Sequence, residues 1–125
     1  MNELKITATN SSPEVTLDIE NNVFEINGES RPEDAYSFYK PILNWLKELK
    51  NLNIDKNIVF KFDLVYFNST STKFLYNIIE LLKQINELST SIIVEWHYNE
   101  KDVDIKEAGE ELSEMTEIKF YFIKK

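Results

Sequence analysis

Alternating apolar and polar positions mark the first strands of the chain. Val15, Leu17 and Ile19 alternate with polar residues, and a short apolar run at 23–26 follows two asparagines. Because successive side chains of a strand point to opposite faces, this pattern predicts two antiparallel strands joined by a tight turn. Asparagine tolerates the positive φ of such a turn, and Gly28 is expected to end the second strand.

Apolar residues at helical spacing predict three helices. The first is expected to begin after Ser30 as its N-cap, with Pro32 in its first turn, and to end near Lys50. A second apolar stripe covers 74–88, and a shorter acidic helix is expected over 102–115.

The second half of the chain alternates strands with these helices. A long strand is predicted at 58–66, a mostly apolar one at 92–96 and a last one at 118–122. The apolar run at 92–96 is typical of a parallel strand buried on both faces. A hairpin followed by β-α-β units predicts the α/β class, with a mixed sheet packed against helices in a single domain spanning 1–125.

Composition narrows the possible partners. The chain has a formal net charge of -8, so the phosphate backbone of a nucleic acid is an unlikely partner on electrostatic grounds. It has no cysteine and no glycine-rich phosphate motif, and it shows neither a signal peptide nor a long apolar segment. We therefore expect a cytoplasmic protein without cofactor, metal, nucleic acid or membrane.

The turn between the long strand and the second helix concentrates hydroxyl groups. It reads Asn68-Ser69-Thr70-Ser71-Thr72 and is followed by Lys73. Such strand ends carry the functional loops of open α/β sheets, and a helix N-terminus favours a phosphate through its free N–H groups and its dipole. The simpler alternative is that one of these residues only caps the helix.

Two other segments contain residues that can carry chemistry. His97, the only histidine, could act as a general base, but no nucleophile motif accompanies it. The acidic residues from Glu100 to Glu111 could attract a cation, although a calcium loop starting at Asp102 would need glycine where Glu107 stands. A solvated helix face is the simpler reading of that cluster, and an enzyme is the least favoured class.

The residues also resemble a known family. The resemblance rests on Ser12-Pro13-Glu14-Val15 with Asp18, Gly28-Glu29-Ser30-Arg31-Pro32-Glu33 with Ala35, Phe38-Tyr39, Pro41, Trp45-Leu46, Tyr66 to Lys73, and Glu107-Ala108-Gly109-Glu110. Across nearly the whole chain the sequence is similar to the SiaC-type biofilm-regulation phosphoproteins, which themselves resemble the STAS anti-sigma-factor antagonists.

The resemblance implies a STAS-like fold and a non-enzymatic, partner-switching role in signalling. A cognate Ser/Thr kinase and a PP2C-type phosphatase would control it, and the unmodified form would bind and activate a diguanylate cyclase. The family's phosphorylated threonine directly follows the asparagine of the turn, which places the acceptor at Ser69, with Ser71 as second choice. The partner-binding residues would then be Asn68, Ser69, Thr70, Ser71, Thr72 and Lys73. A constitutive binding module without a switch is the alternative.

Overall fold

The structure, a computed structural model, describes residues 1–125. It contains six strands and three helices. In chain order these are β1 Leu4–Ile6, β2 Glu14–Asp18, β3 Val23–Ser30, α1 Ala35–Leu52, β4 Asn57–Phe67, α2 Ser69–Asn86, β5 Ser91–Tyr98, α3 Val103–Thr116 and β6 Phe120–Lys124. No helix is both long enough and apolar enough to cross a membrane.

All six strands join one sheet in the order β1-β2-β3-β4-β5-β6. The pairs β1–β2 and β2–β3 are antiparallel, whereas β3 to β6 run parallel. Each parallel connection contains one helix, because parallel neighbours need a crossover long enough to return the chain to the same edge. The α/β class and the mixed sheet are confirmed.

The hairpin forms as expected, but the second strand is longer than predicted. Asn22 takes the positive φ of the turn, at 57°. Gly28 also has a positive φ, at 118°, yet β3 continues past it to Ser30. The pairing with β4 shifts register between Gly28 and Glu29, so the glycine accommodates a bulge and does not end the strand.

The helices cover only one face of the sheet. Inward residues such as Phe60 and Val94 are fully buried, whereas Val59 and Ile93 on the opposite face are 44% and 42% exposed. The prediction that β5 is buried on both faces is therefore wrong. Right-handed crossovers that advance across the sheet in one direction place every helix on the same side, which leaves the other face open.

The start of α1 also differs from the prediction. Asp34 is the N-cap, and its carboxylate accepts a hydrogen bond from the Ser37 backbone N–H at 3.1 Å. Bonds from the Ser37 side chain and backbone hold the pKa of Asp34 below its usual range. Ser30, predicted as the cap, is the last residue of β3 and is fully buried, because it continues the inward phase of Phe24 and Ile26.

Helix α3 reaches the sheet through a glycine. A Cβ added at Gly109 would lie 2.5 Å from Nε1 of Trp96. The indole N–H of Trp96 donates to the carbonyl of Ile105 at 2.9 Å. The missing side chain therefore allows α3 to pack directly against the buried indole.

Candidate functional site

The hydroxyl-rich segment begins helix α2 at the C-terminal edge of the parallel strands. The helix starts at Ser69, so the four hydroxyl residues form its first turn and do not precede it. The backbone N–H of Asn68 donates to the Ser30 carbonyl at 3.1 Å, which joins the end of β4 to the end of β3. The site is thus built on two adjacent strand ends.

Asn68 caps the helix. Its side-chain oxygen accepts from the Ser71 backbone N–H at 2.9 Å. Thr72 donates its hydroxyl back to the Asn68 carbonyl at 3.2 Å. The cap of this helix therefore comes from the amide of Asn68, and capping explains none of the four hydroxyl groups.

A directed chain of buried hydroxyls lies beneath this turn. Ser71 Oγ donates to the Ser30 carbonyl at 3.0 Å, and Ser30 Oγ donates to Ser71 Oγ at 2.8 Å. Tyr39 Oη lies 2.5 Å from Ser30 Oγ. Because a serine hydroxyl has only one proton to donate and Ser30 gives its proton to Ser71, Tyr39 must be the donor in that last bond. These hydrogen bonds link β3, α1 and the first turn of α2.

Tyr39 fixes helix α1 to helix α2 by its ring as well. The ring stacks on Phe74 of α2, with centroids 5.4 Å apart and an interplanar angle of 4°. Burial raises the pKa of Tyr39, and the hydrogen bonds with Ser30 and Ser71 offset this only in part. The phenol therefore remains a neutral donor at physiological pH.

Exposure divides the hydroxyl groups of the turn into two classes. Ser69 and Thr70 are exposed, as is Lys73 one turn later, whereas Ser71 has no exposed surface. Thr72 is half-buried and bonded to the backbone. A kinase has no access to Ser71 in this conformation, which counts against Ser71 as the second-choice phosphorylation site. The accessible neighbour of Ser69 is Thr70.

The electrostatic surroundings of Ser69 suit an added phosphate. A helix N-terminus carries about half a positive charge, so an anion on its first residue is stabilised. Lys73 lies four residues after Ser69, the spacing at which an anion and a following cation attract on a helix. Arg31 belongs to the same sheet edge but is engaged by Glu29 at 3.3 Å and by the Asn10 carbonyl at 3.0 Å.

Neither His97 nor the acidic cluster forms part of an assembled catalytic or metal site in the structure. His97 Nε2 is 3.0 Å from Glu95 Oε1, its neighbour on the same strand face, and no serine or threonine hydroxyl is bonded to it. No group of three or more His, Cys, Asp or Glu residues is placed to hold a metal ion. The acidic side chains of Glu107, Glu110 and Glu114 lie along the exposed side of α3.

Sequence reasoning missed the buried role of Ser71 and its partners Ser30 and Tyr39. A signal was available, because Ser71 stands four residues before Leu75 and seven before Ile78, on the apolar stripe of α2. Continuing that stripe by one turn would have placed Ser71 in the core. Its bonding partners come from distant segments and have no comparable local signal.

Comparison with known proteins identifies the family of this chain. The family described as "SiaC family regulatory phosphoprotein" matches residues 6–125. The chain belongs to the SiaC family. An uncharacterized protein of Pseudomonas aeruginosa strain UCBPP-PA14 is 25% identical over 114 residues, covering 91% of this chain and 90% of that protein.

Solved SiaC structures share the fold. The crystal structure of apo-SiaC from Pseudomonas aeruginosa has a TM-score of 0.86 at 25% identity and covers 100% of this chain and 99% of that chain. A crystal structure of the diguanylate cyclase SiaD in complex with its activator SiaC, from the same organism, has a TM-score of 0.85 at 24% identity and covers 97% of both chains. This SiaC-family chain therefore has the complete fold of that regulator.

Proposed function

We propose that this SiaC-family chain is a partner-switching signalling protein controlled by phosphorylation of Ser69. In its unmodified form it binds and activates a target protein, for which a diguanylate cyclase is the leading candidate. A cognate Ser/Thr kinase adds the phosphate and a PP2C-type phosphatase removes it. The chain itself has no catalytic role.

The observation that carries the proposal is the division of hydroxyl groups in the first turn of α2. Ser69 directly follows the capping asparagine, is exposed, and makes no side-chain hydrogen bond that a phosphate would have to break. Ser71 and Thr72 are bonded inward. Ser69 is thus accessible to a modifying enzyme, whereas the hydroxyl groups of Ser71 and Thr72 are held by hydrogen bonds within the protein.

The same turn supports a switch without refolding. A phosphate adds a charge of about -1.5 to -2 at pH 7. Placed in a contact surface on Ser69, it must be desolvated and paired before a partner can dock, and that cost opposes docking. The buried hydrogen bonds of Ser71 and Tyr39 do not involve Ser69, so phosphorylation of Ser69 leaves the framework of the turn intact.

The target assignment rests on the family. SiaC of Pseudomonas aeruginosa is an activator of the cyclase SiaD and forms a complex with it. By extension we infer a protein target of the same class for this chain. Membership of a regulatory phosphoprotein family supports the proposal of a kinase and a phosphatase as further partners.

The experiment combines site mapping with capture. Wild-type, Ser69→Ala and Ser69→Glu chains are expressed in the native host, and the modified residues and bound proteins are identified by mass spectrometry. Thr70→Ala and Thr70→Glu serve as matched controls, because Thr70 is the exposed neighbour. We expect phosphate on Ser69 and a target that Ser69→Ala captures and Ser69→Glu loses, with both Thr70 variants behaving as wild type.

Two results would contradict the proposal. An unmodified turn under every growth condition, with the same proteins captured by all variants, would indicate a constitutive binding module. Phosphate on Thr70 with Ser69 unmodified would retain the switch but move its acceptor.

A further inference from the structure

A groove lies beside the Ser69 turn, between the end of β4 and the start of α3. The register between β4 and β5 ends where Phe62 lies opposite Trp96, although β4 continues to Phe67. The two strands part at the C-terminal edge of the sheet, where open α/β sheets form their binding crevices. The resulting cavity has a volume of about 270 Å³, with residues 65–67 on one wall and Ile105 and Ala108 on the other.

The β4 wall exposes apolar surface because of the bulge. Leu64 lies opposite Gly28 and Tyr66 lies opposite Glu29, so Val65 is the extra residue of β4. An extra residue interrupts the inward and outward alternation of a strand. Val65, which shares the outward phase of Val59, is 57% exposed, and the bulge leaves the next residue, Tyr66, 48% exposed as well. Adjoining exposed apolar side chains in one cavity are typical of interaction sites.

The two walls of the groove are held in place. Phe67 meets Trp96 edge to face, with ring centroids 6.1 Å apart at 89°. The indole of Trp96 is in turn bonded to the Ile105 carbonyl on the opposite wall. The two walls are therefore tied through one indole, and the groove is formed without a partner present.

The rim of the groove is acidic. Asp102 and Asp104 line it, and none of its lining residues is basic. Lys106, on the same helix, lies over the ring of Tyr98 at 5.6 Å from the centroid. With a formal net charge of -8 on the whole chain, the groove favours a partner that carries positive charge at this rim.

We propose that this groove is the docking site for the target protein, and that the target enters it with an apolar side chain flanked by lysine or arginine. The apolar side chain lies against Val65 and Tyr66, and the cation pairs with Asp102 and Asp104. This inference rests on the proposed function, since the target is the protein whose binding Ser69 controls.

The position of Ser69 explains how one phosphate can act on this contact. Ser69 is exposed and follows Phe67, a residue of the β4 wall, by two positions, whereas the carboxylates of Asp102 and Asp104 belong to the α3 side of the groove. A phosphate on Ser69, with Lys73 of this chain four residues later on the same helix, therefore faces the apolar part of the docked segment and not its lysine or arginine. Desolvation of the phosphate opposes docking even though the partner is basic.

Site-specific crosslinking tests the docking surface directly. Tyr66 and Tyr121 are equally exposed, at 48% each, but only Tyr66 lines the groove. Each is replaced by p-benzoylphenylalanine in the full chain, which is irradiated in the native host. We expect Tyr66→p-benzoylphenylalanine to crosslink a segment with an apolar residue next to lysine or arginine, and the Tyr121 variant to leave that segment unlabelled. Equal labelling from both positions, an acidic crosslinked segment, or no crosslink from Tyr66 would overturn the proposal.

Matched substitutions then measure the contact with the crosslinked target. Val65 and Val59 lie on the same strand and are both exposed, so Val59→Ser is the control for Val65→Ser. We expect Val65→Ser to weaken binding about tenfold, the equivalent of one buried aliphatic side chain, and Val59→Ser to leave it unchanged. Asp104→Asn is expected to weaken binding about threefold at low salt, whereas Glu114→Gln, with the same change in charge, should not.

These experiments distinguish a failure of the docking groove from a failure of the Ser69 switch. If Ser69→Glu releases the target but Val65→Ser and Tyr66→p-benzoylphenylalanine have no effect on it, the groove is wrong and the switch stands. If the groove variants weaken binding but Ser69→Glu does not, the groove is right and Ser69 is not the switch.

Discussion

The first turns of α2 and α3 have the same kind of N-cap but carry different side chains. Each helix follows a parallel strand, and each is capped by the side chain of the preceding residue, Asn68 in one and Asp102 in the other. The first turn of α2 then carries exposed hydroxyls at Ser69 and Thr70. The first turn of α3 carries an exposed apolar residue, Val103, and a carboxylate.

The helices also differ in how they are tied to the sheet. Helix α2 is joined by hydrogen bonds through the buried hydroxyl of Ser71, whereas α3 is joined by close contact of Gly109 with Trp96. Only α2 therefore combines a fixed framework with a chemically modifiable surface. We therefore place the switch on α2 and the charged rim on α3.

The largest effect is expected from Gly109→Ala, which tests the α3 attachment. Alanine normally favours a helix over glycine, but here its Cβ would lie 2.5 Å from the Trp96 ring. We expect a loss of about 3 kcal/mol in the free energy of unfolding, measured by urea denaturation. Glu110→Ala, at the exposed next position, is the control and should be near neutral. A stabilised Gly109→Ala chain would show that the contact is looser than described.

Ser71→Ala tests the corresponding attachment of α2. It removes the acceptor of the buried Ser30 hydroxyl and leaves the Ser30 carbonyl with only the bond from the Asn68 backbone N–H. We expect a loss of about 2 kcal/mol. Ser69→Ala removes an exposed hydroxyl from the same turn and should change stability little. Equal effects of the two substitutions would contradict the division of the turn into buried and exposed hydroxyls.

Removing the caps tests what the two helices share. Asn68→Ala and Asp102→Ala each remove one acceptor of a backbone N–H. Both should lower the free energy of unfolding by about 1 kcal/mol, because the lost interaction is of the same kind. A cost confined to one helix would mean that the two first turns are not equivalent in their backbone.

Tyr39→Phe is expected to have the smallest effect at neutral pH, a loss of about 0.5 kcal/mol in the free energy of unfolding, since it removes one hydroxyl and leaves the ring stacked on Phe74. Its pH dependence is more informative. Because burial raises the pKa of Tyr39, the folded state holds the phenol proton more tightly than the unfolded state. The wild-type chain therefore keeps this stability below pH about 10 and loses it as the pH rises further. Denaturation across pH 8 to 11 should show that the difference in free energy of unfolding between wild type and Tyr39→Phe narrows above pH about 10. A constant difference would refute the raised pKa.

The sequence carried most of the fold because its signals were local. Alternation predicted the strands around Val15 and Phe60, and the apolar stripe at 74–88 predicted the body of α2, which begins five residues earlier and ends two residues earlier. What it did not reveal depends on contacts between distant segments. Ser30 resembles a helix cap until its inward phase in β3 is considered, and Val65 resembles an ordinary strand residue until the β3–β4 register shows the bulge. The position of Ser69 came from the family resemblance, and its exposure required the structure.

The most direct test of the account compares phosphate at two neighbouring positions. Phosphoserine is incorporated during translation at Ser69 or at Thr70, and the affinity of each purified chain for the captured target is measured beside the unmodified protein. We predict that phosphate at position 69 weakens binding at least about tenfold, the equivalent of roughly 1.4 kcal/mol, while phosphate at position 70 has a clearly smaller effect. Unchanged affinity with phosphate at position 69 would contradict the central claim.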